Sequence, residues 1–525
     1  MFDVIVSNGT LIDGTGSPSY EADVGISGDK VTAIGDLSEA TSKRTINATG
    51  LVVAPGLIDS HVHSDGVLLI DPQHANSLRQ GVTTEILGQD GLSYAPLSQE
   101  NYQIYRKYLV GILGEPPEEL DMSSVRSFRS HYHKKTSINT AYLVAHGAIR
   151  LETLGFQDVP MTGQSLKKAC DLIKQGMEEG AVGFATGLSY HPQAWSDTNE
   201  LVALCEATNE LDGVYVTHLR DVNTDRAFGG GGIPEALEIG RRSGVKVHFS
   251  HTRTSEENAG KVGEVLELID KSKDQVDTTL ELYPYPTGST FCTSLLPSYA
   301  HIGGPDEILK KLNDPSERKK LGKYMEENTV KSADQAILSS APNSKHLEGM
   351  SMIKIAEEMG LPVGEALCQL LLEEDLKLGF WLTPPADVSA WRQVSKDALT
   401  FLSRPDYMVG SDSIPVGGHP HPRAYGTFPR FLGRLRRQFG VLSLEKMIQR
   451  MTQNPAERFG LKGRGILKKG NYADIVIFDQ HKIIDTATYD DPHQFPVGIP
   501  YVLVNGMIAV DQERCTGILA GYAIP

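Results

Sequence analysis

Three features are scarce or missing in this 525-residue chain, and each absence excludes a class of protein. Basic residues are outnumbered, with 50 Lys and Arg against 66 Asp and Glu and a formal net charge of −16, so nucleic acids and anionic membranes are not expected as partners. No apolar run approaches the roughly 18 residues that cross a bilayer, and the start MFDVIVSNGTLIDG lacks the features of a signal peptide. The five cysteines are scattered and form no CxxC pair, so neither a disulfide framework nor a thiolate zinc cage is predicted.

What remains is the composition of an ordinary folded protein. Hydrophobic residues make up 40% of the chain and charged residues 22%, which is enough for a buried core and unlike a disordered chain. The odd number of unpaired cysteines fits a reducing compartment. We therefore expect a cytoplasmic globular protein, for which homo-oligomerisation stays open.

Both ends of the chain are rich in predicted β-strands. The N-terminal segments FDVIVSNGTLID and ADVGISGDKVTAIG alternate Val and Ile around Asn-Gly and Gly-Asp turns, a pattern typical of β-hairpins. The C-terminal segments ADIVIFD and YVLVNGMIAV have the same character. We predict one small β-sandwich domain built from both termini, residues 1–54 and 465–525.

The middle of the chain alternates apolar strand-like runs with amphipathic helices. Pro234, for example, opens the helical pattern EALEIGRRSG, which stops on glycine. Such alternation is typical of a parallel sheet covered by helices. Eight candidate strands predict an α/β fold with a (β/α)8 TIM-like barrel over residues 55–287 and 397–464, although an open sheet fits the same periodicity; these strands are 51–59, 82–87, 141–145, 181–185, 214–217, 245–249, 279–283 and 407–410. Residues 288–396 are predicted to form an insertion or lid near the barrel mouth.

Histidines and one aspartate end several of these candidate strands. The first ends in GLIDSHVH with His61 and His63, whose side chains point to the same side of an extended backbone. YVTH ends on His218, VHFSH on His251 and MVGSD on Asp412. Alone, a His-x-His pair is as often two ordinary surface or core histidines as it is a metal site. Here the later strands also end in possible ligands, and the carboxyl ends of barrel strands meet at one face. This set favours a divalent metal site, with Zn²⁺ first and Mn²⁺, Co²⁺ or Fe²⁺ as alternatives.

A metal in such a site lowers the pKa of its bound water toward about 7. Asp412 is then placed to take the proton from that water and pass it to a leaving group. Two further histidines are predicted to be hydrogen-bonded or packed instead: His248, at odd spacing from His251, and His146.

The ordered motifs resemble the amidohydrolase superfamily and, within it, the N-acyl-D-amino-acid deacylase (D-aminoacylase) family. The resemblance covers essentially the whole chain and is carried by PGLIDSHVH, GVTTEILGQDGLSYAPL, AVGFATGLSYHP, YVTHLRD, VHFSHTR, ELYPYPTGST, HPHPRAYGTFPRFL and MTQNPAERFGL. It implies hydrolysis of N-acyl-D-amino acids to a carboxylate and a free D-amino acid, with one or two Zn²⁺ ions, a metal-bound hydroxide as nucleophile and Asp412 as general acid/base. It also implies that His61, His63, His218 and His251 are metal ligands.

The chain departs from the family pattern at two positions. Where the family carries a metal-binding cysteine after the second strand, this sequence has Asp90, which is the candidate replacement ligand or else a turn aspartate before glycine. A hard carboxylate in place of a thiolate weakens the preference for zinc. The family lysine after the sixth-strand histidine corresponds to Arg253, which the resemblance places on the substrate carboxylate together with Tyr283.

Two more residues are candidates for substrate binding by resemblance, Tyr190 in GLSYHP and Arg423 in HPHPRAYG. Two other kinds of function stay open at this point. The same ligands would serve a cyclic-amide hydrolase of the dihydroorotase or hydantoinase kind, or a deaminase. A non-catalytic scaffold is disfavoured because the chain keeps the histidines and the aspartate together.

Overall fold

The computed structural model describes residues 1–328 and 335–524, whose strands form three sheets. The strands are β1 Phe2–Leu11, β2 Tyr20–Ser27, β3 Lys30–Gly35, β4 Ser42–Asn47, β5 Val52–Pro55, β6 Leu57–Asp59, β7 Val82–Leu87, β8 Asn139–Ala145, β9 Gly183–Gly187, β10 Val214–His218, β11 Lys246–Phe249, β12 Thr278–Leu282, β13 Ser289–Phe291, β14 Ala336–Ser340, β15 Gly379–Leu382, β16 Tyr407–Val409, β17 Ile475–Phe478, β18 Tyr501–Val504, β19 Met507–Asp511 and β20 Arg514–Cys515.

Helices surround the central sheet and fill the connections between its strands. The α-helices are Val67–Ile70, Ala75–Leu78, Gln99–Leu113, Val125–Ser130, His146–Leu154, Gly163–Glu178, Thr198–Asn209, Gly232–Ser243, Val262–Lys271, Pro305–Asn313, Pro315–Asn328, Met352–Met359, Val363–Glu373, Val388–Ser403, Arg423–Pro429, Arg436–Phe439, Leu444–Met451 and Gln453–Arg458. Among the described residues, we find no helix with both the length and the apolar character needed to span a membrane.

Eight parallel strands, β6 to β12 followed by β16, form the central sheet. Beyond the ends of β6 and β16, Val62 and Ser413 form an isolated parallel β-bridge, and the Asp412 amide donates to the His61 carbonyl at 2.8 Å. The His63 amide likewise donates to the Ser413 carbonyl at 2.9 Å. The first and last strands therefore meet, and the prediction of an α/β barrel is confirmed.

The barrel strands are buried on both faces because helices cover the outside. Every residue of β7 and of β8 is buried, as in other parallel sheets enclosed by helices. The helix Gly163–Glu178 shows the matching pattern, since Ala169, Ile173 and Gly176 turn inward while most of its other residues stay in contact with solvent.

Both chain termini contribute to a second, nine-stranded sheet. Its order is β20-β19-β18-β17-β5-β1-β2-β3, with β4 paired to β1. The junction is the antiparallel pairing of β5 with β17, in which Pro55 faces Ile475. The strands from the two ends of the chain thus share one sheet, while the domain boundaries given above stay a prediction.

The prediction of one barrel strand over 51–59 was wrong. The segment breaks at Gly56, so that β5 joins the terminal sheet and β6 starts the barrel. Gly56 is needed there because a Cβ at this position would lie 2.8 Å from the Cβ of Thr83 on the neighbouring strand. The Gly56 amide also donates to the Asp474 carbonyl in the turn before β17, which ties the break to the terminal sheet.

The third sheet belongs to the segment predicted as an insertion. It has the antiparallel order β13-β15-β14. The helices from Pro305–Asn313 to Val363–Glu373 lie between β13 and β15 in the sequence. Residues 329–334 of this segment lie outside the described part of the chain. Side chains from this region reach the barrel mouth, where the candidate site lies.

Candidate metal centre

The first, second and last barrel strands bring two histidines and two aspartates together. His61 and His63 follow β6, Asp90 follows β7 and Asp412 follows β16. His63 Nε2 lies 3.2 Å from Asp412 Oδ1 and 3.6 Å from Asp90 Oδ2. His61 Nε2 lies 3.5 Å from Asp90 Oδ1 and 3.7 Å from Asp412 Oδ1. One nitrogen from each histidine of the His-x-His pair therefore faces both carboxylates.

The later strands complete the cluster with two more imidazoles. His218 Nδ1 lies 3.4 Å from Asp90 Oδ2 and 2.9 Å from His251 Nε2. Two sets of potential ligand atoms each fall within 4.8 Å of one another and share His61: one with Asp90 and His251, the other with His63 and Asp412. This arrangement suits one or two metal ions.

Three residues of the cluster have backbone conformations that are uncommon for side chains other than glycine. The φ angles are 55° at Asp90, 33° at His251 and 53° at Asp412. Left-handed conformations of this kind cost free energy and concentrate at functional sites. The backbone is thus shaped to aim these three side chains into one place.

Opposite charges keep both aspartates ionised. Burial acts to raise the pKa of Asp412, but the Arg423 guanidinium, with Nη1 2.8 Å from Asp412 Oδ2, outweighs it and holds the pKa well below its usual range. For Asp90, burial is likewise outweighed by the imidazoles of His61 and His218, and the pKa is lowered. Both carboxylates are available as anionic ligands or bases.

The histidines divide into two electrostatic types. Burial and the neighbouring His218 lower the pKa of His251 to about 4, so its imidazole is neutral. For His61, burial is outweighed by the carboxylates of Glu281 and Asp90, which raise its pKa to about 10. The surroundings of His61 therefore favour a positive charge, whether a proton or a metal ion supplies it.

The donors present fit a divalent ion. His61 Nε2 and Asp90 Oδ1 are buried and have no hydrogen-bond partner within the part of the chain that the structure describes. When its imidazoles are neutral, the cluster holds three buried carboxylates, from Asp90, Glu281 and Asp412, and one guanidinium, from Arg423, which pairs with Asp412. This leaves a net charge of −2, which a bound dication would neutralise, whereas a single proton on His61 would neutralise only half of it.

A cavity of about 690 Å³ opens beside the cluster. Asp90, His218, His251 and Asp412 line its floor, and the third sheet contributes Phe380 and Leu382 from β15. A volume of this size accommodates a small-molecule substrate.

The predicted carboxylate-binding residues lie together at this cavity. Arg253 Nη2 donates to the Tyr283 hydroxyl at 2.8 Å, and the guanidinium lies 4.4 Å from the centre of the Tyr283 ring. Tyr190 also lines the cavity, with its ring 5.2 Å from that of His218 and its hydroxyl 3.2 Å from Thr290 Oγ1. Arg423 is fully buried behind the lining, where it stacks 4.7 Å from the Tyr283 ring and pairs with Asp412.

Two histidines lie outside the cluster, as the sequence indicated. His248 Nδ1 is 2.8 Å from Thr279 Oγ1, and His146 Nε2 is 2.9 Å from Glu200 Oε1. Sequence reasoning missed Glu281, whose carboxylate contacts His61 Nδ1 at 2.5 Å. Its only signal was an acidic residue inside an otherwise uncharged strand, TTLEL.

Comparison with known proteins agrees with this geometry. A model of the "Amidohydrolase family" matches residues 44–120 and 372–510. A D-aminoacylase of Alcaligenes xylosoxydans xylosoxydans is 32% identical over 534 aligned residues, covering 100% of this chain and 97% of the relative. A solved D-aminoacylase with a binuclear metal centre superposes with a TM-score of 0.81 at 30% identity, covering 100% of this chain and 99% of that one.

A second solved relative carries a ligand. The N-acyl-D-glutamate deacylase of Bordetella bronchiseptica, in complex with zinc and a phosphonate that mimics the tetrahedral intermediate, superposes with a TM-score of 0.81 at 28% identity. The superposition covers 100% of this chain and 99% of that one.

Proposed function

This chain belongs to the N-acyl-D-amino-acid deacylase family of the amidohydrolases, and from that premise we propose how its own residues carry the reaction. The enzyme hydrolyses the amide bond of N-acyl-D-amino acids with a divalent metal, and it releases a carboxylate and a free D-amino acid. The proposal concerns the assignment of roles to individual residues.

His61, His63, Asp90, His218 and His251 would hold the metal, with zinc as the first choice and manganese or cobalt as alternatives. When bound, such an ion activates water and polarises the amide carbonyl. The protein's contribution is to hold imidazoles and ionised carboxylates in one buried cluster, so that little reorganisation is needed during the reaction.

Asp412 acts as the general base and then as the general acid. Its carboxylate is ionised, lines the cavity and is held by Arg423 through Oδ2, which leaves Oδ1 directed at the histidine pair. From this position it accepts a proton from the attacking water and returns it to the amine leaving group. The left-handed backbone of Asp412 and the hydrogen bond that its backbone amide donates to the His61 carbonyl fix this orientation.

Arg253 and Tyr283 bind the α-carboxylate of the substrate. A guanidinium pairs with a carboxylate through two parallel hydrogen bonds, and the Tyr283 hydroxyl lies beside it. Because the net charge of −16 repels anionic substrates at long range, recognition of the carboxylate depends on this local pair.

The observation that carries the proposal is the Asp412 carboxylate, which pairs with Arg423, lies beside the histidine cluster and lines the cavity. Asp412→Asn keeps the size of the side chain but removes the base, and kcat for an N-acetyl-D-amino acid is expected to fall by about 10²- to 10⁴-fold. Release of D-amino acid is the assay, with metal content measured on the same samples. N-acetyl-L-amino acids and cyclic amides are assayed as alternative substrates. Ammonia release is measured as well, to test for deamination.

Asp277→Asn is the matched control. Asp277 also pairs with an arginine, Arg458 at 2.8 Å, but it precedes β12 and therefore lies at the opposite end of the barrel from the site. Turnover by this control should equal that of the unmodified enzyme. Undiminished turnover by the Asp412 variant with normal metal content would rule out its role.

A further inference from the structure

Glu281 is a buried acidic residue inside a barrel strand. It lies in β12 between Leu280 and Leu282, and all three residues are buried. The two leucines belong to the main hydrophobic core, so the alternation of the strand turns Glu281 toward the barrel interior. An ionised carboxylate is costly at such a depth unless its partners compensate it.

The Glu281 carboxylate joins the two halves of the metal centre. Oε1 lies 2.5 Å from His61 Nδ1, on the first strand, and accepts the backbone amide of His251, after the sixth strand, at 3.0 Å. Oε2 accepts the Ser60 hydroxyl at 2.9 Å and lies 3.8 Å from His248 Nε2. A single side chain thus contacts two metal-ligand residues that are far apart in the sequence.

The contact with His61 determines which ring nitrogen is free. The Ser60 hydroxyl and the His251 backbone amide both donate to the Glu281 carboxylate, so it faces His61 Nδ1 as an acceptor. His61 then carries a proton on Nδ1, and in the neutral ring that binds a metal Nε2 presents its lone pair toward Asp90 and Asp412. The hydrogen bond from the His251 amide holds a backbone whose φ is 33°.

We propose that Glu281 is a positioning residue of the metal centre: it sets the tautomer of His61 and holds the backbone of His251, so that both histidines present ligand nitrogens. This inference rests on the proposed function, because it assumes that the cluster binds a metal. A carboxylate behind a ligating histidine raises the basicity of the ring, and its loss costs about 10- to 100-fold in metal affinity.

The test is a Zn²⁺ competition titration of chelator-stripped enzyme with a chromophoric chelator. Glu281→Gln is nearly isosteric but removes the negative charge. Its amide either donates to His61 Nδ1, which moves the ring proton to Nε2, or accepts from Nδ1–H through its neutral carbonyl oxygen. We expect its Zn²⁺ affinity to be about 10- to 100-fold weaker. The visible spectrum of the Co²⁺-loaded variant should change as well, because one ligand is misplaced.

Glu85→Gln is the matched control for this titration. Glu85 is also a buried barrel glutamate and pairs with a histidine, His74 at 2.8 Å, which is not in the metal cluster. Its Zn²⁺ affinity and Co²⁺ spectrum should equal those of the unmodified protein. Equal losses in both variants would mean a general effect of removing buried charge and would overturn the assignment.

The outcomes separate this inference from the proposed function. If the unmodified chain does not rebind Zn²⁺ after stripping, the proposed function itself fails. If it does, and Glu281→Gln has unchanged affinity and an unchanged Co²⁺ spectrum, only the role of Glu281 is refuted. Should the Gln variant not fold, Ser60→Ala removes one hydrogen bond to Glu281, and about threefold weaker Zn²⁺ binding is expected; unchanged binding would overturn the proposal.

Discussion

Replacing Gly410 with alanine is expected to damage the metal centre without adding a charge or removing a ligand. Gly410 follows β16, and a Cβ built on it would lie 2.6 Å from the Cβ of His61 and 2.7 Å from Cδ of Glu281. Ordinary contact begins at 3.4 Å, so His61 Cβ and Glu281 Cδ must retreat by about 0.7–0.8 Å, and Glu281 Oε2, which would lie only 2.0 Å away, by about 1.4 Å. The φ angle of Gly410 is not in the left-handed region, so the effect is purely steric.

The added methyl group would contact both His61 and Glu281, whose hydrogen bond sets the His61 tautomer. Overpacking of this kind costs about 1–3 kcal/mol, and we expect a lower apparent melting temperature of the metal-stripped protein. Metal must be removed for this measurement because a bound ion stabilises the folded state by mass action. Displacement of His61 and Glu281 should also weaken Zn²⁺ binding by about tenfold or more.

Gly263→Ala is the matched control for that substitution. Gly263 lies in the helix Val262–Lys271, where a Cβ would meet no atom within 4 Å, and alanine in a helix is favoured over glycine by about 0.5–1 kcal/mol. The control should therefore be as stable as the unmodified chain or slightly more so, with unchanged Zn²⁺ binding. A Gly410 variant that matches the control in both measurements would refute the steric argument.

Two further predictions concern the positions at which the chain departs from its family. Arg253→Met removes the guanidinium beside Tyr283. Its kcat/KM should fall by about 10- to 150-fold, the equivalent of about 1.5–3 kcal/mol for a lost hydrogen bond to a charged group. Most of the change should appear in KM, and a variant whose KM equals that of the unmodified enzyme in steady-state kinetics would contradict the role. Arg253→Lys should recover part of the loss because it keeps the charge without the bidentate geometry. Asp90→Cys should shift the ratio of Zn²⁺ to Mn²⁺ affinity toward zinc, since a thiolate is the softer ligand; an unchanged ratio in competition titrations would mean that Asp90 does not bind the metal.

The clustering of the candidate ligands could be predicted from the sequence because the carboxyl ends of barrel strands lie next to one another. His61, His218 and Asp412 lie far apart in the chain, yet each ends or follows a strand of one parallel sheet, whose carboxyl ends meet. A local pattern was sufficient in each case, namely an apolar run that ends in a polar ligand.

Glu281 and Gly56 could not be predicted in this way. The role of Glu281 depends on His61, 220 residues away, and on the backbone of His251, and a single glutamate inside an apolar strand carries no sign of either contact. The break at Gly56 depends on the side chain of Thr83 in the next strand and on the pairing of Pro55 with Ile475. Both features arise from tertiary contacts that local periodicity does not contain.

The closure of the barrel between β6 and β16 also has a consequence for biosynthesis. His61 and Asp412 become neighbours only where the first and last barrel strands meet. At about 5–20 residues per second, His61 leaves the ribosome roughly 20–70 s before Asp412. During that interval the His-x-His pair lacks Glu281 and Asp412 for much of the time and can hold an ion only weakly. We therefore expect metal loading to follow the completion of the barrel, because a nascent chain arrested before β16 lacks Asp412 and so part of the proposed centre.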